Sequence, residues 1–393
     1  MSLAVNQPPV DQKRDIVIEH AVVCIPKDGE ELCGDSTQVI SRGDATIAVL
    51  ADGLGSGVKA SILSTMTTRI AATLFDKGLP LDAVVDTLSS TLPVCKVRNL
   101  AYSTFTIVLI EAGRAAYLAE FDNPPAILVR DGELVELVRH ERRIGDHAVT
   151  EASVELEEDD FLVVVSDGVV HAGIGGLIPL GWRWENVAEY VCRNSVHMES
   201  ALDLARRLEK TCRHLYEGKP GDDATVLVMR PRRPVSLTMV VGPPEDPNDD
   251  ARVAELLREA SGMKVVCGGT TASLIAREWQ VPLRIDLDTM SPDDPPLAHM
   301  PGVNLTTEGI ITISRTLDLL KSGRRIEDRR EAPYRLARLL MQADDIHFVI
   351  GRAINPAHQN PDLGGRLALK FQVIEELRRE LVARGKHVRT TCF

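Results

Sequence analysis

One stretch constrains the fold of this chain more than any other: Thr46-Ile-Ala-Val-Leu-Ala-Asp-Gly-Leu-Gly-Ser-Gly-Val-Lys-Ala-Ser61. Thr46–Ala51 is apolar, with Val and Ile, as a strand buried on both faces requires. Asp52 stands where that run stops. Gly53, Gly55 and Gly57 permit a tight turn, Ser56 stands where a helix cap is expected, and a helical pattern runs on to about Phe75. A carboxylate at a strand end, beside open backbone carbonyls, suits a hard divalent cation.

Three further acidic turns adjoin strand patterns: Gly34-Asp35 before Thr37–Ser41, Asp167-Gly168 after Phe161–Ser166, and Gly221-Asp222-Asp223 before Val226–Met229. Taken singly, such a turn is an ordinary β-turn. Gathered at one sheet edge, the carboxylates would raise one another's pKa. Divalent cations relieve that repulsion and activate water for attack on phosphorus. Oxygen-only ligands favour Mg²⁺ or Mn²⁺ over zinc.

Length and charge narrow the classes. A chain of 393 residues holds two or three domains, each with its own core. The net charge is −12, and −11 of it falls before Ser236. This acidic balance excludes non-specific nucleic-acid binding, which needs Lys and Arg on phosphates. The seven cysteines are scattered, odd in number and without CxxC spacing. That argues against a zinc site or a disulfide framework and for a reducing, cytoplasmic setting. The N-terminus lacks an apolar signal core, and no run approaches the ~20 apolar residues of a membrane span.

The pattern of elements divides the chain. Residues 1–13 read as a loose lead-in and 14–231 as an α+β domain. It has hairpin signals at Ala112-Gly113-Arg114 and Asp131-Gly132-Glu133, and helices at Leu81–Leu92, Glu185–Cys192 and Met198–Tyr216. Pro231-Arg232-Arg233-Pro234 marks a linker, set at 232–236. From 237 to 393 strands alternate with helices, which predicts a smaller α/β domain with a mainly parallel sheet.

In this order the motifs resemble the PPM (type 2C) metal-dependent protein phosphatases, in the bacterial branch represented by stage II sporulation protein E. The resemblance covers about Ile16–Met229. It rests on Gly34-Asp35-Ser36, Ala51-Asp52-Gly53-Leu54-Gly55-Ser56-Gly57, Asn123-Pro124-Pro125-Ala126-Ile127-Leu128-Val129-Arg130-Asp131-Gly132, Ser166-Asp167-Gly168-Val169 and Gly221-Asp222-Asp223-Ala224-Thr225-Val226. It implies a PPM-type β-sandwich flanked by helices (α-β-β-α) that hydrolyses phosphoserine or phosphothreonine with two Mn²⁺ or Mg²⁺ ions. By the same resemblance Asp52 bridges both metals and the Gly53 carbonyl binds one. Asp167 and Asp222 hold the other, and Asp35 acts at the second metal directly or through water. Asp223 supports the loop. The implied partner is a phosphorylated regulatory protein such as an anti-sigma-factor antagonist; homodimerisation stays open.

This chain departs from the pattern at Asp122-Asn123, where relatives often have Gly-His, and at Val169-Val170-His171, where they often have Val-Thr-Glu. Both bear on substrate recognition rather than on the metal ligands. His171 either touches a phosphate or lines a loop. Two rival readings stand beside this one. In the first, Gly55-Ser56-Gly57-Val58-Lys59-Ala60 opens a dinucleotide site with Asp76 as its ribose acid. In the second, the fold is a catalytically silent scaffold or sensor.

The second domain offers one turn of note, Cys267-Gly268-Gly269-Thr270-Thr271, between a strand and a helix. Amides at a helix start with two hydroxyls suit an anion, and hence a small ligand; a plain turn with Thr as helix cap is the alternative. Asn304-Leu305-Thr306-Thr307-Glu308-Gly309 reads as a cap, and Asp344-Asp345 as a helix-to-strand turn.

Overall fold

The structure is a computed structural model that describes residues 15–42, 44–92, 103–286, 289, 296–323, 329–353 and 363–393. The lead-in at 1–13 and Cys95 lie outside them. The chain divides into two compact units, Met1–Arg233 and Pro234–Phe393. Among the described residues no helix is long and apolar enough to cross a membrane.

The first unit stacks two antiparallel sheets. Its strands are β1 (Val17–Ile25), β2 (Asp35–Arg42), β3 (Ala45–Gly53), β4 (Ser103–Glu111), β5 (Ala115–Phe121), β6 (Ile127–Arg130), β7 (Glu133–Val135), β8 (Arg139–Ile144), β9 (His147–Glu155), β10 (Phe161–Val165) and β11 (Ala224–Arg232). One sheet has the order β1-β11-β10-β6-β7 and the other β2-β3-β4-β5-β9-β8. Helices α1 (Gly57–Asp76) and α2 (Leu81–Thr91) follow β3; α3 (Asp167–Val170), α4 (Trp184–Ser195) and α5 (Ala201–Leu215) lie between β10 and β11.

Side-chain alternation explains the layering. In β10, Leu162 and Val164 join Ala48, Leu50, Leu118 and Leu227 between the sheets. Phe161, Val163 and Val165 face the other way, against Val187, Val191, Leu204 and Leu208 of α4 and α5. In β3, Ile47, Val49 and Ala51 meet Leu63 of α1 and Val84, Val85 and Leu88 of α2. Both faces of each central strand are therefore covered, which is why their sequences read as unbroken apolar runs. The result is the expected α-β-β-α sandwich. Full burial of each such side chain contributes about 1.5–3 kcal/mol.

Two local readings change. β11 continues through Pro231, so the linker begins only at Arg233. Pro231 is tolerated because β10 pairs with β11 only as far as Met229, leaving no neighbouring strand to ask for its missing N–H on that side. Cys24, at the end of β1, and Cys33, before β2, form a disulfide, against the expectation of none. The strand and the returning loop bring them together across a separation no spacing rule anticipates. Among the described residues Cys192, Cys212, Cys267 and Cys392 are free thiols.

The second unit holds β12 (Ser236–Val241), α6 (Asp250–Glu259), β13 (Met263–Cys267), α7 (Gly269–Trp279), β14 (Arg284–Asp286), β15 (Leu297–His299), β16 (Leu305–Thr307), α8 (Ile310–Lys321), α9 (Ala332–Gln342), β17 (Asp345–Ile350), α10 (Leu363–Ala383) and β18 (His387–Cys392). Its sheet runs β14-β15-β16-β13-β12-β17-β18. The pairs among β16, β13, β12, β17 and β18 are all parallel, while β14 and β15 add an antiparallel edge. The expected mainly parallel α/β sheet is present. Asp344, read as turn punctuation, accepts a hydrogen bond from the Val235 N–H at 2.8 Å.

Candidate active site

In the first unit, strand direction decides where the acidic turns meet. β2 begins at Asp35 and β3 ends just past Asp52; the two residues are directly paired across the antiparallel ladder. Paired residues place their side chains on the same face. For Asp52 that is the face of Ala48 and Leu50, toward the second sheet. There β10 ends just before Ser166-Asp167, and β11 begins just after Asp222-Asp223, with Val165 paired to Val226. Two strand starts and two strand ends therefore supply four carboxylates to one edge of the sandwich.

Their mutual influence follows from that proximity. Asp35 is only 7% exposed, and neither of its carboxylate oxygens makes a hydrogen bond. Burial, with Asp223 and Asp167 nearby, raises its pKa to about 7; the Ser166 and Thr225 hydroxyls ease the charge without bonding it in ordinary geometry. Burial, the charges of Asp35, Asp167 and Asp222, and a hydrogen bond with Asp167 raise Asp52 to about 9. Asp222 is pushed up by burial and by Asp167. His171 lies at the rim, its Nδ1 3.8 Å from Asp167 Oδ2.

Close backbone packing fixes these positions. A Cβ on Gly53 would stand 2.1 Å from the Ala60 carbonyl oxygen of α1, and one on Gly168 2.0 Å from the Asp223 carbonyl oxygen. Only glycine lets the turn after Asp52 lie flat against α1, and only glycine lets the turn after Asp167 lie flat against the β11 entry. The Tyr216 hydroxyl donates to the Gly168 carbonyl at 2.6 Å. The Thr225 N–H donates to Ser166 Oγ at 2.9 Å, joining the two acidic turns of this sheet.

The loop between β1 and β2 contributes residues that the sequence reading missed. The Lys27 N–H donates to Asp223 Oδ1 at 3.0 Å, which gives Asp223 its loop-holding place. Glu30 accepts from Ser56 Oγ at 3.0 Å. Ser56 thus occupies the N-cap position of α1 without capping it. The partners are 196 and 26 residues apart, and no local pattern announces them.

The dinucleotide reading fails on topology. β3 is flanked by antiparallel β2 and β4, so there is no βαβ unit, and Asp76 lies at the end of α1 in an ion pair with Arg42 at 3.1 Å.

Residues 42–232 match the family model described as Stage II sporulation protein E. Over these residues the chain is similar to that family. A curated relative, Stage II sporulation protein E of Bacillus subtilis (strain 168), is 24% identical over 148 residues, which are 36% of this chain and 18% of the relative. The chain thus spans under a fifth of that relative's length. Among solved structures, the PP2C phosphatase domain with a regulatory-domain fragment of SpoIIE from Bacillus subtilis is similar at 20% identity and TM-score 0.47. That match covers 56% of this chain and 64% of that one. The SiaA PP2C domain of Pseudomonas aeruginosa is similar at 19% identity and TM-score 0.45, covering 54% and 85%.

Among the described residues of this SpoIIE-type domain and the second unit, no three His, Cys, Asp or Glu side chains already close on a common point as a metal cage. The donors nevertheless fit a hard cation. Asp35 presents two buried carboxylate oxygens without partners, the donor set is all oxygen, and the neighbouring charges repel in the absence of a counter-charge.

Proposed function

We propose that the SpoIIE-type domain is a metal-dependent serine/threonine protein phosphatase acting on a phosphorylated regulatory protein, with an anti-sigma-factor antagonist as the implied kind of substrate. One observation carries this reading: four carboxylates from two sheets share one edge, and Asp35 and Asp52 are held there far above the ordinary carboxylate range. Two Mn²⁺ or Mg²⁺ ions, when bound, would supply Lewis acidity and an activated water there. Asp52, the Gly53 carbonyl, Asp167, Asp222 and Asp35 are the residues that would hold them.

The chain's own groups do the rest. Asp52, raised to about 9, holds a proton at its carboxyl in the metal-free domain. Ser166 and Thr225 lock the two strands that carry Asp167 and Asp222. Tyr216 pins the Gly168 carbonyl, so Asp167 leaves its strand at one angle. Asp223 stays on the Lys27 backbone and keeps the loop before Asp35 closed. His171 lines the rim where the phosphoprotein enters, half exposed.

The silent-scaffold reading draws on the same unclosed arrangement of acids. Hydrolysis of p-nitrophenyl phosphate by wild type and Asp167→Asn, with and without Mn²⁺, separates the two. Metal-dependent turnover lost in Asp167→Asn is the expected result. Absence of both turnover and calorimetric Mn²⁺ binding would leave the scaffold.

A further inference from the structure

The second unit has a polar feature that phosphatase chemistry does not use. Its parallel strands follow the order β16-β13-β12-β17-β18, a doubly wound arrangement in which helix starts gather at the carboxyl ends of the strands and the order reverses between β12 and β17. At that edge Cys267, the end of β13, is paired with Thr307, the end of β16. The Gly268 N–H donates to the Thr307 carbonyl at 2.9 Å. Each strand passes straight into a helix, α7 at Gly269 and α8 at Ile310. The two turns are glycines at φ +117° (Gly268) and +143° (Gly309). They approach so closely that a Cβ on Gly309 would stand 3.5 Å from the Gly268 Cα. Two positive helix ends therefore open side by side.

A helix start alone does not make a site; the hydroxyl behind it does. Thr271 is 1% exposed, yet its Oγ1 makes no hydrogen bond. That oxygen lies 3.0 Å from where a Cβ on Gly268 would stand, over the glycine turn. The cap expected from the sequence is absent, because no side chain caps α7. An unpartnered buried hydroxyl destabilises the fold; a ligand oxygen seated in the mouth is the partner it lacks. Gly269 is exposed and has open space where its side chain would be, which leaves the entrance clear. At the neighbouring helix start the Ile311 N–H eases the charge of Glu308, and the buried Thr312 Oγ1 likewise makes no hydrogen bond. The mouth thus sets the uncapped start of α7 beside a carboxylate acceptor.

We propose that this mouth binds the phosphate group of a small phosphorylated metabolite. The phosphate takes the amides of Gly269, Thr270 and Thr271 and the Thr271 hydroxyl, and a hydroxyl on the same ligand donates to Glu308. The carboxylate repels an anion seated directly against it, so a phosphomonoester whose carbon-borne hydroxyl reaches Glu308 binds better than inorganic phosphate. None of this depends on the activity of the first unit.

The test is calorimetry on the full chain in EDTA, with glycerol 3-phosphate, adenosine 5′-monophosphate and inorganic phosphate as probes. The expected result is one saturable site for a phosphomonoester, tighter than for inorganic phosphate and retained in Asp52→Asn. Thr271→Val should weaken it about tenfold, and Gly269→Asp should abolish it. Thr271→Val removes an unsatisfied group at constant shape, and Gly269→Asp lies on the surface, so at least one variant keeps its melting transition. No binding of any probe to wild type would overturn the proposal. So would binding lost in Asp52→Asn but unchanged in the two mouth variants, since that places the ligand in the first unit. Equal affinity for inorganic phosphate would overturn the metabolite assignment.

Discussion

The two units each present a sheet edge to solvent, and the edges have opposite character. In the antiparallel sandwich, strand starts and strand ends alternate along one edge, so β2, β3, β10 and β11 deliver side chains, here Asp35, Asp52, Asp167 and Asp222, to a common place. Among the parallel strands of the second sheet only strand ends reach that edge, and β13 and β16 are each followed by a helix start. That edge delivers backbone amides, as at Gly268 and Gly309. One edge has too many acceptors and calls for cations; the other has donors to spare and calls for an anion. Strand direction alone thus sorts the two kinds of site.

The largest effect should come from removing a carboxylate from the acidic edge. Asp52→Asn is expected to lower Mn²⁺-dependent hydrolysis of p-nitrophenyl phosphate by about 10³-fold or more, several kcal/mol of lost charge stabilisation. The same variant should melt higher than wild type in EDTA, because Asn is neutral without the proton that folding forces onto Asp52, and should lose the stabilisation that Mn²⁺ gives wild type. A variant that melts lower in EDTA would show that the edge is not strained by its own charge.

A second contrast uses the glycines. Gly53→Ala forces a Cβ to within 2.1 Å of the Ala60 carbonyl oxygen. The backbone must yield, at a cost of about 3 kcal/mol, the upper range for overpacking. Thermal melting should show a large drop, with reduced turnover as the Asp52 turn shifts. Gly269→Ala meets open space at an ordinary helical position and should raise stability by up to about 1 kcal/mol. Equal effects of the two substitutions would remove the distinction between a closed turn and an open mouth.

Much of this was readable in the sequence, for a physical reason. β10 is buried on both faces, so Phe161–Val165 is an uninterrupted apolar run, and the acidic turn after it is conspicuous. The same holds for β3 and Asp52. The strands that escaped notice, β8 and β9, have exposed positions and many charges; Arg139–Ile144 is nearly all polar. Its ladder partner is what makes it a strand. β18 is likewise an edge strand with exposed residues. The α7 helix starts at Gly269, inside the turn read as Cys267–Thr271, because two glycines read as a turn while the chain uses the first as the turn and the second as the first helical residue. At the site, the acids were legible because turn chemistry is local. Lys27, Glu30, Ser166, Thr225 and Tyr216 were not, because each acts through a partner far along the chain.

The smallest effect is a pair of opposed pH slopes. In the metal-free first unit Asp35 and Asp52 have folded pKa values of about 7 and about 9 against 3.8 for an ordinary Asp. The folded form then holds more protons than the unfolded one, so stability falls as pH rises from about 4 toward 9. In the second unit His347 is 6% exposed, its Nε2 lies 2.9 Å from Thr391 Oγ1, and Arg389 is its cross-strand partner. Burial, and then Arg389, lower its pKa to about 4 from 6.5. Here the unfolded chain takes up the proton first, so stability is full above about 6.5 and is lost as pH falls toward 4. The expected loss is about 1–3 kcal/mol. The units can be followed separately, because Trp182 and Trp184 report on the first and Trp279 on the second. Melts of Trp279→Phe in EDTA should show the alkaline slope, and saturating Mn²⁺ should flatten it. Melts followed at Trp279 with Trp182 and Trp184 replaced by Phe should show the acid slope, and His347→Gln should abolish it. If both units lost stability in the same direction, the acids at the first edge would be compensated within the fold, and that edge would have no need of a cation.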